Sequence, residues 1–177
     1  HYLMTGRGLM DQVQAFLAAG LFCTVAFAGV VILDMNSDSE SGPNYPDWDV
    51  LDVCLADHSG NINHIHATLS ISINGTNIAI PEDVGIQDSV CPNGMRGVHT
   101  HDDTGRLHIE TPGQMNATIG AFFAIWGEKF DQSHIMDKES NEENEVVMFV
   151  NGQENLEFEN YVMIDGDVIE IEYRQRQ

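Results

Sequence analysis

Residues 64–74 alternate without a break: Ile65, Ala67, Leu69, Ile71 and Ile73 at one set of positions, His64, His66, Thr68, Ser70, Ser72 and Asn74 at the other. Successive side chains of a strand point to opposite faces, so this stretch is satisfied as a half-buried β-strand with its apolar set on a core and its histidines on the polar side. Asn74-Gly75 supplies the pair of residues that tolerate positive φ in a tight hairpin, and a returning strand is expected through Ile80. A shorter repeat of the pattern follows, with a strand near residues 98–101, a turn over 102–105 and a strand over 106–110. In that last strand Leu107 and Ile109 face the core, while Arg106, His108 and Glu110 face away.

The remainder completes an α+β reading. Thr118 suits a helix N-cap and Gly127 a helix stop, with Ile119, Phe122, Phe123 and Trp126 recurring at helical spacing between them. That spacing assigns the aromatic residues to packing rather than to a cofactor. Residues 145–151 (EVVMFVN) and 161–173 (YVMIDGDVIEIEY) are β-rich. The expected fold is a β-rich domain with one main helix, β-grasp-like in its C-terminal half. The ending 165–171 resembles the last turn and strand of ubiquitin-like and sulfur-carrier domains. No Gly-Gly follows it, so carrier chemistry is not implied.

The polar faces carry the chemistry. Residues i and i+2 of a strand share a face about 7 Å apart, so His64 with His66, and His99 with His101, can each aim two imidazoles at one spot. His108 follows close behind. Neutral imidazole is a borderline ligand suited to copper or zinc, and rigid strands hold it well. The expected metal ligands are therefore His64, His66, His99, His101 and His108, converging on one ion. Asp102, Asp103 and Glu110 are candidates for the acceptor that fixes an imidazole tautomer. The competing reading is a solvated set of strand-face histidines that titrate together. No catalytic residue is assigned, and binding is favoured over catalysis.

Residues 15–33 (AFLAAGLFCTVAFAGVVIL) contain no charge and match the roughly 20 residues that a helix needs to cross a bilayer. This run is longer than the apolar core of a cleavable leader, so residues 1–35 are expected to form an uncleaved anchor. Arg7 precedes it and no Lys or Arg occurs between Gly8 and Met95, which places the amino end in the cytoplasm and the head outside, a single-pass arrangement in the cell membrane. Residues 36–47, rich in Asp, Ser and Pro, read as a linker, and residues 48–177 as one extracytoplasmic domain. Partners are expected among other membrane or extracytoplasmic proteins through the helix, including copies of the chain in an oligomer or filament.

Seven basic residues stand against 28 acidic ones, a formal charge of −21. Such a surface repels nucleic acid and anionic lipid. Cys23 lies in the apolar run. Cys54 and Cys91 either form a disulfide, as an oxidising compartment favours, or leave Cys91 as a thiolate ligand beside His99 and His101. Asn74 and Asn116 each head a glycosylation sequon, a pattern common by chance.

The segments HIHATLSISINGTNIAIPEDVGI, HTHDDTGRLHIE and TIGAFFAIWG, with Cys91 between the first two, resemble a family of mostly uncharacterised, membrane-anchored exported proteins of archaea and bacteria. The resemblance covers residues 64 to about 130 and, more loosely, the final hairpin, and it places all five histidines at motif positions. The chain departs from it just before His99, where Asn93-Gly94-Met95-Arg96-Gly97 stands in place of an aromatic stretch. Three functions fit: an exported copper- or zinc-binding protein, including an accessory subunit of a membrane complex; a His-ligated metalloenzyme; and a structural subunit with incidental histidines. The first is preferred.

Overall fold

The alternating stretch becomes the longest strand of a mixed sheet in the computed structural model, which describes residues 48–58 and 63–177. In chain order the strands are β1 (Cys54–Leu55), β2 (Asn63–Ile73), β3 (Thr76–Ile78), β4 (Met95–Arg96), β5 (Val98–His99) and β6 (Arg106–Thr111). The single described α-helix, α1 (Ile119–Trp126), comes next. It is followed by β7 (Phe130–Asp131), β8 (His134–Ile135), β9 (Lys138–Glu139), β10 (Asn144–Val150), β11 (Gln153–Glu154) and β12 (Asp167–Gln175). The main sheet has the order β11-β10-β12-β2-β6-β5, with β3 beside the far end of β2. All its pairings are antiparallel except the central one, β2 with β12.

Register follows from the apolar alternation. Leu69 lies opposite Ile169, Ile71 opposite Ile171, Ile65 opposite Ile109 and Ala67 opposite Leu107. Ile171 in turn faces Met148 on β10. These side chains share one core with Ile119, Phe122 and Phe123 of α1, each of them fully buried. Truncating either phenylalanine to Ala should cost about 3–5 kcal/mol, the usual range for a buried aromatic residue. The helix ends as its sequence dictates: the Thr118 hydroxyl accepts from the Ala121 amide at 3.2 Å, and Gly127 takes the left-handed conformation at φ 85°. Asn74 and Gly75, at φ 52° and 77°, make the expected tight turn between β2 and β3.

Two expected strands are shorter than their sequences suggest, for identifiable reasons. The stretch at 98–101 leaves the ladder after His99, because Thr100 turns to the loop before it: its hydroxyl donates to the Pro81 carbonyl and accepts from the Val84 amide. The stretch at 161–173 becomes a strand only at Asp167. The buried Asp167 carboxylate pins the preceding loop, accepting from the Tyr161 hydroxyl at 2.8 Å and the Ile164 amide at 2.9 Å. The meander β7-β8-β9 was not foreseen; strands of two residues are too short to show alternation.

Among the described residues no helix is long and apolar enough to cross a membrane. The anchor expected over residues 1–35, with Cys23, and the linker over 36–47 lie outside the described residues.

Candidate metal centre

Three adjacent strands bring the histidines together. On the polar face of the sheet, His66 of β2 lies directly opposite His108 of β6, and His108 lies directly opposite His99 of β5. One row of imidazoles therefore crosses three strands. His64 stands two residues along β2 from His66, opposite Glu110, and His101 follows just beyond β5. The rings touch accordingly: centroids are 4.6 Å apart for His66 and His108, 4.7 Å for His101 and His108, and 5.4 Å for the stacked pair His99 and His108.

All five sequence-predicted ligands are in this cluster, but they do not form a single group of five. His64, His66 and His108 place ligand nitrogens within 4.8 Å of one another, and so do His99, His101 and His108. The convergence expected on one ion is thus replaced by two triads that share His108.

Several features prepare these rings as ligands. A carbonyl can only accept, so the 2.9 Å contact between His99 Nδ1 and the Arg96 oxygen fixes Nδ1 as the protonated nitrogen and leaves Nε2 bare. That Nε2 stands 3.2 Å from His101 Nε2. Two donors of a tetrahedral ion with bonds of about 2.05 Å would be about 3.3 Å apart. Burial pushes the His99 and His108 pKa values down to about 4 and lowers that of His66, so these rings are neutral, the form that ligates, at pH 7. Neighbouring imidazoles push His108 in the same direction. Among the described residues, His108 Nδ1 has no hydrogen-bond partner although it is buried. A ring nitrogen so placed, in the member common to both triads, could hold a metal ion.

Glu110 supplies the negative charge. Its side chain is 1% exposed, and its ionic partners are imidazoles: His64 Nε2 at 3.2 Å and His58 Nδ1 at 2.8 Å. With Nε2 turned to the carboxylate, His64 has Nδ1 left to ligate, the arrangement that a carboxylate–histidine–metal relay would use. A carboxylate removed from water requires a compensating cation, and protonated imidazoles or a metal ion are the local candidates. The other two acids play no such part. Asp102 accepts from the Thr104 amide and hydroxyl in a tight turn, and these bonds hold its pKa below the usual carboxylate range. Asp103 is exposed and lines a hollow with Ser70, Ile78 and Gly105.

His58 is the member that sequence reasoning missed. It stands outside any alternating pattern, and it arrives by a route that the cysteines define. Cys54 and Cys91 are joined in a disulfide with Cα atoms 5.6 Å apart, so Cys91 is not a thiolate ligand. The bond and the β1–β4 pairing lay the segment before His58 across the strand leading to His99. Gly94 and Gly97 make the approach possible. A Cβ on Gly94 would lie 2.1 Å from the Leu55 carbonyl oxygen, and one on Gly97 would lie 2.9 Å from the Val53 Cβ. Gly94 and Gly97 thus have a steric reason. The clue in the sequence was indirect: a bridge to Cys91, close before His99, must carry the residues after Cys54 toward the second histidine pair.

No protein-family model matches the chain, nor does any curated protein or solved structure.

Proposed function

We propose that this chain is a membrane-anchored, extracytoplasmic transition-metal-binding protein that takes copper or zinc, with His64, His66, His99, His101 and His108 as ligands and Glu110 orienting His64. The observation that carries the reading is the position of His108: it belongs to both triads and holds a buried nitrogen without a partner among the described residues. Solvated surface histidines would keep ordinary hydration, whereas the ring at the centre here is desolvated and neutral. Imidazole-only ligation suits both metals, and the disulfide removes the thiolate that would have tilted the choice. That same disulfide supports export, since such bonds persist in oxidising compartments. The anchor rests on the apolar run at residues 15–33, as does association with other membrane or extracytoplasmic proteins or with copies of the chain. The strand order supports a β-grasp-like frame: the antiparallel pair β2 and β6, a helix, then β10 and β12, with β12 parallel to β2 at the centre. The frame itself assigns no activity.

The test is elemental analysis of the untagged full chain after dialysis against Zn(II) or Cu(II) and desalting. Near-stoichiometric retention is expected, falling to none when the five histidines are replaced together by Ala. A folded wild-type protein that retains neither metal overturns the reading.

A further inference from the structure

Two triads with one member in common pose a question that a single ion does not answer. His66 and His99 stand on β2 and β5, with β6 between them. Strands are spaced about 4.8 Å apart, so the two backbones are about 9.6 Å apart. Donors of one zinc-like ion lie at most about 4.2 Å from each other, twice a bond of about 2.1 Å. The two histidine pairs meet that kind of limit with His108, not with each other: each pair forms a group with His108, and no group contains both pairs. An imidazole that gives one nitrogen to an ion still has a second. At His108 the Nδ1 atom is buried and has no acceptor for a proton among the described residues. A protonated nitrogen there would be a buried, unsatisfied donor, which costs its full desolvation. A second cation removes that cost.

Resting on the metal-binding reading above, we infer that the centre is dinuclear: one ion sits in the triad His64, His66 and His108, the other in the triad His99, His101 and His108, and His108 joins them as a bridging imidazolate. The first ion takes the lone pair of neutral His108. The second displaces the remaining ring N–H proton, which passes to solvent, so filling the second position releases one proton more than imidazole ligation alone requires. The buried Glu110 carboxylate beside His64 offsets part of the added positive charge.

The experiment loads the untagged full chain with Cu(II), measures ions per chain by elemental analysis, and integrates the copper EPR signal at low temperature. The expected result is two ions per chain with a signal well below that of two isolated Cu(II) centres, because an imidazolate couples their spins. H66A and H99A, checked for folding by circular dichroism, should each retain one ion with a full, uncoupled signal. One ion in the wild type overturns the dinuclear assignment, and two ions with a full signal overturn the bridge. Retention of no copper here and no zinc in the dialysis above overturns the metal-binding reading itself, so the two failures are distinguishable.

Discussion

The polar face of the sheet has two ends that treat charge in opposite ways. At the β10–β12 end, Arg174 lies between Glu145 and Glu172 at 3.3 and 3.1 Å and covers the Phe149 ring, with all the charged groups partly solvated. At the β2–β6–β5 end, three imidazoles have their pKa values lowered by burial, and a carboxylate is almost fully enclosed with only histidines as ionic partners. The first arrangement is what an exposed strand face ordinarily does. The second has a group added from outside the sheet: the disulfide and the β1–β4 pairing bring the segment that ends in His58 to the strand leading to His99, and His58 covers Glu110 at 2.8 Å. The strands alone make a row of histidines, in which His99 and Glu110 are buried, and His58 closes on the carboxylate from outside the sheet.

The sharpest way to break the contrast is to release the cover. The disulfide spans 37 residues, and in the chain-entropy description a loop of that size contributes about 4 kcal/mol. C54S/C91S should lose an amount of that order in urea denaturation and should also weaken metal binding, because His58 no longer holds Glu110. Unchanged stability would mean that the cover is held by its packing alone. Next in size, E110Q should lower metal affinity 10- to 100-fold by roughly the amount typical of a lost ligand-orienting partner, as read by chelator competition. E145Q at the other end should leave affinity unchanged, and equal effects would erase the distinction between the two ends.

Acid should act on one end before the other. His99 and His108 titrate near 4 in the fold but near 6.5 when unfolded, so below about 6.5 the unfolded chain binds more protons. Their contribution to stability is complete above that pH and is lost as pH falls through the folded values, at a slope of at most about 1.4 kcal/mol per pH unit for each ring. Metal-free protein should therefore melt progressively lower between about pH 6.5 and pH 4, and H99A/H108A should flatten that slope. The smallest effect belongs to the solvated end: R174A should cost no more than about 1 kcal/mol in thermal melting and should leave metal binding untouched. A larger loss would show that its ion pairs are less screened than their exposure implies.

The alternating positions of β2 and β6, the tight turn at Asn74-Gly75 and both caps of α1 were legible because each is a local pattern with a local cause. His64, His66, His99 and His108 were legible as strand-face residues for the same reason, whereas His101 lies just beyond β5. Their division into two triads was not, because it depends on β6 lying between β2 and β5, a matter of strand order rather than spacing. Glu110 could be placed on the polar face, but nothing local announces that His58 will cover it. Thr100 and Asp167, which shorten two expected strands, act through partners up to 19 residues away. Short meanders such as Phe130–Asp131 leave too few residues to register a period.

The parallel pairing of β2 with β12 has a consequence for how such a protein comes into being. The middle of the sheet joins residues 67–73 to residues 167–173, which leave the ribosome long after them. Contacts of that range form late, since the long intervening loop must be closed before they repay its entropy. A nascent chain arrested before Asp167 should remain open to proteases along its whole head. The histidines would then lack their settled frame until residues 167–173 have been made, and an ion in the surroundings would meet a formed cradle only after that.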